Sequence, residues 1–308
     1  MTWWHGSKSK RSYKPVEANG RNSEEELDVD HDACWYIDGR WVHPNDASIS
    51  INDTAVLRGY GAFEALRTYH RRPFHLDEHL DRLYRSAALI ELDLPYTHEM
   101  VAGVIKEIIE RNPYQHASIR IFVTGGESED GILPSGKPVL AVLITPLGER
   151  DMRQFAQGCK LITSHLQRVS PEAKTSNYVA AIRALKEAKR QHASDALFVN
   201  AEEHVLEGTR SNFFVFRGDT LITPQAGVLL GVTRNVVLAL AKGRFQIEER
   251  PILQHELPQV DEAFITSSSK EITPVLQIDE WTIGNGKPGP RTDELEQRFI
   301  AMVEQGDF

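Results

Sequence analysis

Residues 207–214 read EGTRSNFF: an acid, a glycine, an arginine and three uncharged polar residues ahead of two phenylalanines. Gly208 permits a bend and the polar side chains stay wet, so the stretch reads as a turn leading into a strand. A turn does not require a carboxylate at Glu207 or a guanidinium at Arg210 directly before an apolar run. The flanking segments, DALFVNAEEHVLEG (195–208) and SNFFVFRGDTLITP (211–224), also read as strands, as do CKLITSHLQRV (159–169), RPIL (250–253) and EAFITSS (262–268). Helices are expected in NYVAAIRALKEAKRQ (177–191) and TRNVVLALAKG (233–243). Strands outnumber helices and many lie at hairpin spacing, which predicts a mixed, largely antiparallel, barrel-like sheet over residues 148–308.

Further toward the N-terminus, CWYIDGRWVHP (34–44) through ALRTYHRRPF (65–74) reads as a strand meander broken at Asp38-Gly39 and Arg71-Arg72-Pro73. Two amphipathic helices follow. LDEHLDRLYRSAALIEL (76–92) aligns Leu76, Leu80, Leu83, Ala87 and Ile90, and HEMVAGVIKEIIERN (98–112) aligns Met100, Val104, Ile108 and Ile109. With the strands ASIRIFVTGG (117–126) and PVLAVLITP (138–146), they make a small α+β domain over 35–147. Residues 1–34, basic and then acidic, read as a partly disordered arm in which Trp3 and Trp4 are the docking candidates.

The 308 residues carry 41% hydrophobic and 26% charged side chains and a net charge of -9, the profile of a globular protein large enough for two domains. There is no bilayer-length apolar run, no secretory signal and no basic stripe, so neither membrane nor nucleic acid is an expected partner. Cys34 and Cys159 are too far apart for a disulfide scaffold or zinc spacing, which fits a reducing cytoplasm.

Several short motifs could carry chemistry. GVTRNVVLALA (231–241) opens a helix after Gly231, with Thr233 as a cap, and its unpaired N–H groups form an anion site. TSSSKEITP (266–274) offers three hydroxyls and the Ser268/Glu271 spacing of a capping box. Arg82 reads as a solvated charge unless it joins these turns in a phosphate cup. Lys174, in PEAKTSNYVAA (171–181), reads as a surface lysine unless Val179, Ile182 and Leu185 hold its turn against a core; there its pKa would fall and it could form a Schiff base. His75 and His79 lie four apart but lack a third ligand, so no metal is expected. GNGKPGP (284–290) lacks the ending of a phosphate loop and a following helix, and reads as a turn.

The order FEALRTY, EHLDRLYRSA, KTSNY, EGTRSNFFVF, GVTRNVVLALA, TSSSKEITPV resembles the class IV, fold-type IV pyridoxal-phosphate aminotransferases, which include branched-chain and D-amino acid aminotransferases and aminodeoxychorismate lyases. The likeness runs from about residue 35 to the C-terminus. It implies a homodimer using pyridoxal 5'-phosphate, with amino acid and 2-oxo acid substrates. Lys174 would bind the cofactor as a Schiff base and shuttle the substrate proton, and Glu207 would pair with the pyridine nitrogen. Arg82, the backbone at Val232 and Thr233, and Ser268 would hold the phosphate, while Tyr178 would reach the ring oxygen.

For the substrate, the familiar D-amino acid enzymes place a tyrosine where this chain has Phe63 and an Arg-x-His where it has GGESEDG (125–131). Branched-chain enzymes place a tyrosine at Arg58 and a Tyr-x-Arg at Ser118-Ile119-Arg120. The pair Arg58 and Arg210 is similar to a less common D-amino acid pattern in which two arginines clamp the carboxylate, with Arg58 contributed by the partner subunit. The expected activity is therefore transamination of D-amino acids such as D-alanine or D-glutamate, the alternatives being branched-chain L-amino acids or a lyase.

Overall fold

The computed structural model describes residues 33–147 and 157–308; the arm with Trp3 and Trp4 lies outside the described residues. In chain order the first segment contains β1 (Trp35–Ile37), β2 (Arg40–Val42), α1 (Thr54–Arg58), β3 (Gly61–Tyr69), β4 (Arg72–Pro73), α2 (Leu76–Leu89), α3 (His98–Arg111), β5 (Ala117–Thr124) and β6 (Leu140–Pro146). Its strands pair antiparallel in the order β2-β1-β6-β5-β3-β4. Leu80, Leu83 and Ala87 of α2 are buried with Val101, Ile105, Ile108 and Ile109 of α3 against Leu66, Ile119, Ile121 and Val142 of the sheet. The expected face of α3 is thus corrected: it is rotated by one residue, and Met100 stands exposed. Both residues satisfy helical spacing, and the position of the sheet decides between them.

The second segment contains β7 (Cys159–Ser164), α4 (Val179–Arg190), β8 (Asp195–Val199), β9 (His204–Gly208), β10 (Asn212–Arg217), β11 (Thr220–Thr223), α5 (Val232–Ala241), β12 (Gln246–Glu249), β13 (Ile252–Leu253), β14 (Glu262–Ser267), β15 (Glu271–Ile278), β16 (Trp281–Thr282) and α6 (Pro290–Gln305). Strands β10-β14-β15-β7-β8-β9 pair in that order, and β9 returns to β10 through Glu207 opposite Asn212. The result is a closed, mixed, six-stranded barrel, parallel at β15-β7 and β7-β8 and antiparallel elsewhere. The seam that closes it is the octapeptide 207–214 itself.

That closure explains the run NFFVF. Phe213 and Val215 pack with Leu161, Leu197 and Ile265, whereas Phe214 and Phe216 pack with Phe264, Val237 and Phe299 on the other face. A strand buried on both faces has no reason to alternate with polar residues. Full burial of each such side chain contributes about 1.5–3 kcal/mol. The glycine-rich stretch from Gly284 does form a turn, but contrary to expectation a helix follows it: α6 starts with Pro290 and buries Leu295 and Phe299.

Candidate active site

The Lys174 segment is held by backbone pairing. The Phe63 N–H donates to the Lys174 carbonyl at 2.9 Å, the Ser176 N–H to the Gly61 carbonyl at 2.9 Å, and the Lys174 N–H to Ser86 Oγ at 3.0 Å. The segment is therefore an added rung beside β3, backed by α2. The expected apolar support from α4 is not found: Val179 and Ile182 are exposed, and the helix buries Ala181, Ala184 and Ala188 against Ile162, Ala196 and Phe198. Small residues let this helix approach the barrel closely. Lys174 Nζ lies 4.7 Å from the centre of the Phe63 ring and has no ion-pair partner among the described residues. Burial, reinforced by the Arg82 charge, lowers its pKa to about 8.

One cavity is lined by Lys174, Tyr178, Glu207 and Arg210 together with Arg82, Val232, Thr233 and Ser268. The sequence-predicted cofactor residues are thus brought together from separate stretches of chain. Glu207 accepts from Arg168 Nη1 at 2.5 Å and from the Leu229 N–H at 3.0 Å. Burial pushes its carboxyl pKa up, against the pull of Arg168 and that N–H. Arg168, whose Nη2 also donates to the Ala173 carbonyl at 2.8 Å, escaped the sequence reading. The signal available was chemical: a carboxylate buried in a barrel seam needs a cation, and the segment before Lys174 supplies one.

Arg82 is buried on α2 and not solvated. Its Nε and Nη2 donate to the two oxygens of the fully buried Glu64 at 2.7 and 2.8 Å, and its Nη1 makes only a 3.4 Å contact to the Leu230 carbonyl. His79 Nδ1 is 2.8 Å from Glu64 Oε2. Burial lowers the His79 pKa, so the ring is neutral and donates a hydrogen bond; the Glu64–Arg82 contact is the ion pair. Although burial opposes it, Arg82 and His79 together hold the Glu64 carboxyl well below the usual carboxylate range. Glu64→Gln is expected to destabilise the fold by about 3–5 kcal/mol by leaving Arg82 buried and uncompensated, as urea unfolding would measure. Unchanged unfolding would show that the pair does not hold Arg82.

Two sequence expectations about turns are corrected. Thr233 does not cap α5; Gly231 is the N-cap and offers no side chain, so the first-turn N–H groups at Val232 and Thr233 open onto the cavity. Ser268–Lys270 is a turn between β14 and β15 without a helix, so no capping box exists there. The cavity also contains the buried hydroxyl of Thr266, which has no hydrogen-bond partner among the described residues. A cationic side chain, helix-start N–H groups and hydroxyls suit a phosphate, and an orphan hydroxyl suits a ligand that brings its own polar atoms.

A second cavity of about 410 Å³ adjoins the first, sharing Lys174, Tyr178, Arg210 and Ser268. Strand alternation puts Phe63, Ala65 and Arg67 of β3 beside Phe122, Arg120 and Ser118 of β5 on its wall. Arg67 is engaged by Glu271 at 2.7 Å; Arg120 and Arg210 make no ion pair among the described residues. Arg58 is not brought to either cavity. It is exposed on α1, its Nη1 donates to the Leu57 carbonyl at 2.8 Å, and it lines a separate groove with Ile132, Leu133 and Val169.

The class IV amino-transferase family pattern matches residues 61–278. The chain is 32% identical to the D-alanine aminotransferase of Listeria monocytogenes serotype 4b over 277 residues, covering 87% of this chain and 96% of that protein. It is 30% identical to the branched-chain-amino-acid aminotransferase of Pseudomonas aeruginosa over 292 residues, covering 89% and 94%. Its fold superposes on the branched-chain amino acid aminotransferase of Thermobaculum terrenum, crystallised in its PLP-bound holo-form, at a TM-score of 0.80 and 26% identity, covering 88% of this chain and 94% of that one. A closed mixed barrel, a cavity that gathers the scattered motifs and alignment along nearly the full length of such relatives have one common account: the chain belongs to the class IV aminotransferases, which depend on pyridoxal phosphate.

Proposed function

We propose that this chain binds pyridoxal 5'-phosphate in the Glu207/Lys174/Arg82 cavity and moves the amino group of a D-amino acid, such as D-alanine or D-glutamate, to a 2-oxo acid. Bound there, the cofactor supplies an electrophilic aldehyde and an electron-withdrawing ring. Lys174 is the nucleophile and the carrier of the proton at the substrate α-carbon, a role that its lowered pKa supports. Glu207 holds a proton at the ring nitrogen, and its raised pKa means that the carboxyl shares that proton readily. Arg82, the N–H groups of Val232 and Thr233 and the Ser268 hydroxyl take the phosphate. Tyr178 takes the ring oxygen.

The observation that carries the substrate reading is charge. The substrate-side cavity holds Arg120 and Arg210, with no carboxylate among the described residues of its wall, so a substrate carboxylate gains charge-assisted hydrogen bonds there. Phe63, Phe122 and Leu147 on the same wall favour a second reading, a branched-chain L-amino acid. Adding D-alanine, D-glutamate, L-leucine and L-valine separately to the loaded enzyme and timing the change in cofactor absorbance separates the two. Rapid change with D-glutamate or D-alanine and none with L-leucine is expected; the reverse order would sink the D-amino acid reading. With aminodeoxychorismate and no acceptor, pyruvate beyond the one equivalent per site that a half-reaction can release would indicate a lyase.

A homodimer belongs to the same proposal. Arg58 is exposed and shares a groove with Ile132, Leu133 and Val169, all exposed apolar residues, which supports a second copy seated there with Arg58 directed to its pocket. Among the described residues no helix is long and apolar enough to cross a membrane, and both cysteines are free; we place the enzyme in the cytoplasm.

A further inference from the structure

Asp195 opens β8, fully buried, and a carboxylate in that position needs donors. Its Oδ1 accepts from the Thr209 hydroxyl at 2.5 Å, the Thr209 N–H at 3.2 Å and the Ala196 N–H at 2.9 Å, while its Oδ2 accepts from Lys270 Nζ at 3.1 Å. Lys270 is itself buried. Thr209 and Lys270 sit on different turns, one joining β9 to β10 and the other joining β14 to β15. Both turns line the cofactor cavity: the first carries Arg210 and the second carries Ser268. One carboxylate therefore ties the turn of the proposed substrate cation to the turn of the proposed phosphate hydroxyl.

The local structure makes this tie specific. Gly208 admits the close approach, since a Cβ there would collide with Ser211 Oγ and fall 3.5 Å from Asp195 Oδ2. On the other turn, the Lys270 N–H donates to Ser267 Oγ at 3.1 Å and the Lys270 carbonyl accepts from Thr273 Oγ1 at 2.9 Å. The next residue, Glu271, has a φ of 50°, in the left-handed region, and its carboxylate is gripped by Arg67 at 2.7 Å and the Tyr69 hydroxyl at 2.6 Å from β3. The Ser268 turn is thus pinned at Lys270 from inside the barrel and at Glu271 from the other sheet. A buried ion pair is a poor source of net stability compared with well-packed apolar groups, so its contribution here is geometric.

We infer that Asp195 is a positioning residue for both ends of the site, fixing the Ser268 turn through Lys270 and the Arg210 turn through Thr209. This rests on the cofactor reading given above. The two arms are separable by mutation. The double variant Asp195→Asn/Lys270→Met removes the ion pair without stranding a buried charge, and the carboxamide that replaces the carboxylate can still accept from Thr209. Thr209→Val removes the hydroxyl donor alone.

Titrating cofactor-free protein with pyridoxal 5'-phosphate by absorbance, and measuring donor KM on the saturated enzyme with whichever of D-glutamate or L-leucine reacts, gives two independent readouts. The double variant should bind pyridoxal 5'-phosphate about tenfold more weakly with donor KM nearly unchanged, whereas Thr209→Val should raise donor KM about tenfold with cofactor affinity nearly unchanged, each being the loss of one bond to a charged group. Lys270→Arg, which keeps the ion pair, should bind the cofactor as the parent does. Equal shifts of both quantities in both variants, or no shift in either, would overturn the inference while leaving the cofactor reading intact. Failure of the parent protein to bind pyridoxal 5'-phosphate would overturn the cofactor reading first.

Discussion

Lys174→Ala is expected to lower the transamination rate by about 10,000-fold or more, because the substitution removes the proposed nucleophile and proton carrier from the cavity. The fold should survive, since the Lys174 segment is held by backbone bonds to Gly61 and Phe63 and by Ser86. The same residue sets a pH dependence. With a pKa lowered to about 8, its amine is charged and non-nucleophilic below that value and neutral above it. Cofactor capture by the parent protein should therefore accelerate as pH rises through about 8 and level off about one unit higher. Stopped-flow absorbance at several pH values checks this. A Lys174→Ala protein turning over within about tenfold of the parent would remove the proposed role, and capture independent of pH between about 7 and 9 would mean that the amine is not the titrating group.

Glu207→Gln is expected to cost about 100- to 1,000-fold in kcat, the range seen when a preorganised electrostatic partner of the reacting centre is lost. Glutamine keeps the shape and can still accept from the Leu229 N–H. It cannot supply the negative charge proposed to hold a proton at the ring nitrogen, and it leaves Arg168 without its counter-charge. Cofactor affinity should fall far less than kcat, because the proposed phosphate contacts lie on other residues. Steady-state kinetics at saturating cofactor, with a parallel binding titration, distinguish these effects. A kcat within about threefold of the parent would contradict the assignment.

The strands were legible because hairpin spacing and apolar runs are local signals, and the barrel followed from their number. Its closure at Glu207 and Asn212 was not legible, since that pairing depends on every other strand finding its neighbour first. Helix faces failed where the sequence offered two equivalent choices, as at Met100 and Val101, or where the buried side was alanine, as in α4. The C-terminal helix was missed although Pro290, Asp293 and the spacing of Leu295, Phe299 and Met302 announce it.

In the site, residues beside glycine- and hydroxyl-rich turns could be singled out one at a time. Arg168 could not be, because its meaning comes from Glu207, 39 residues away. The same holds for Lys270 and Asp195, separated by 75 residues, and for the burial of Arg82 and His79 around Glu64. Buried charges are chosen in pairs, and a sequence presents them singly.

The most direct test of the central claim is to load the full-length protein with pyridoxal 5'-phosphate, reduce it with borohydride and map the modified peptide by mass spectrometry. The account predicts one phosphopyridoxyl group, on Lys174 in the segment PEAKTSNYVAA. A label on Lys270 or any other lysine, or no label on protein shown to be folded, would contradict it.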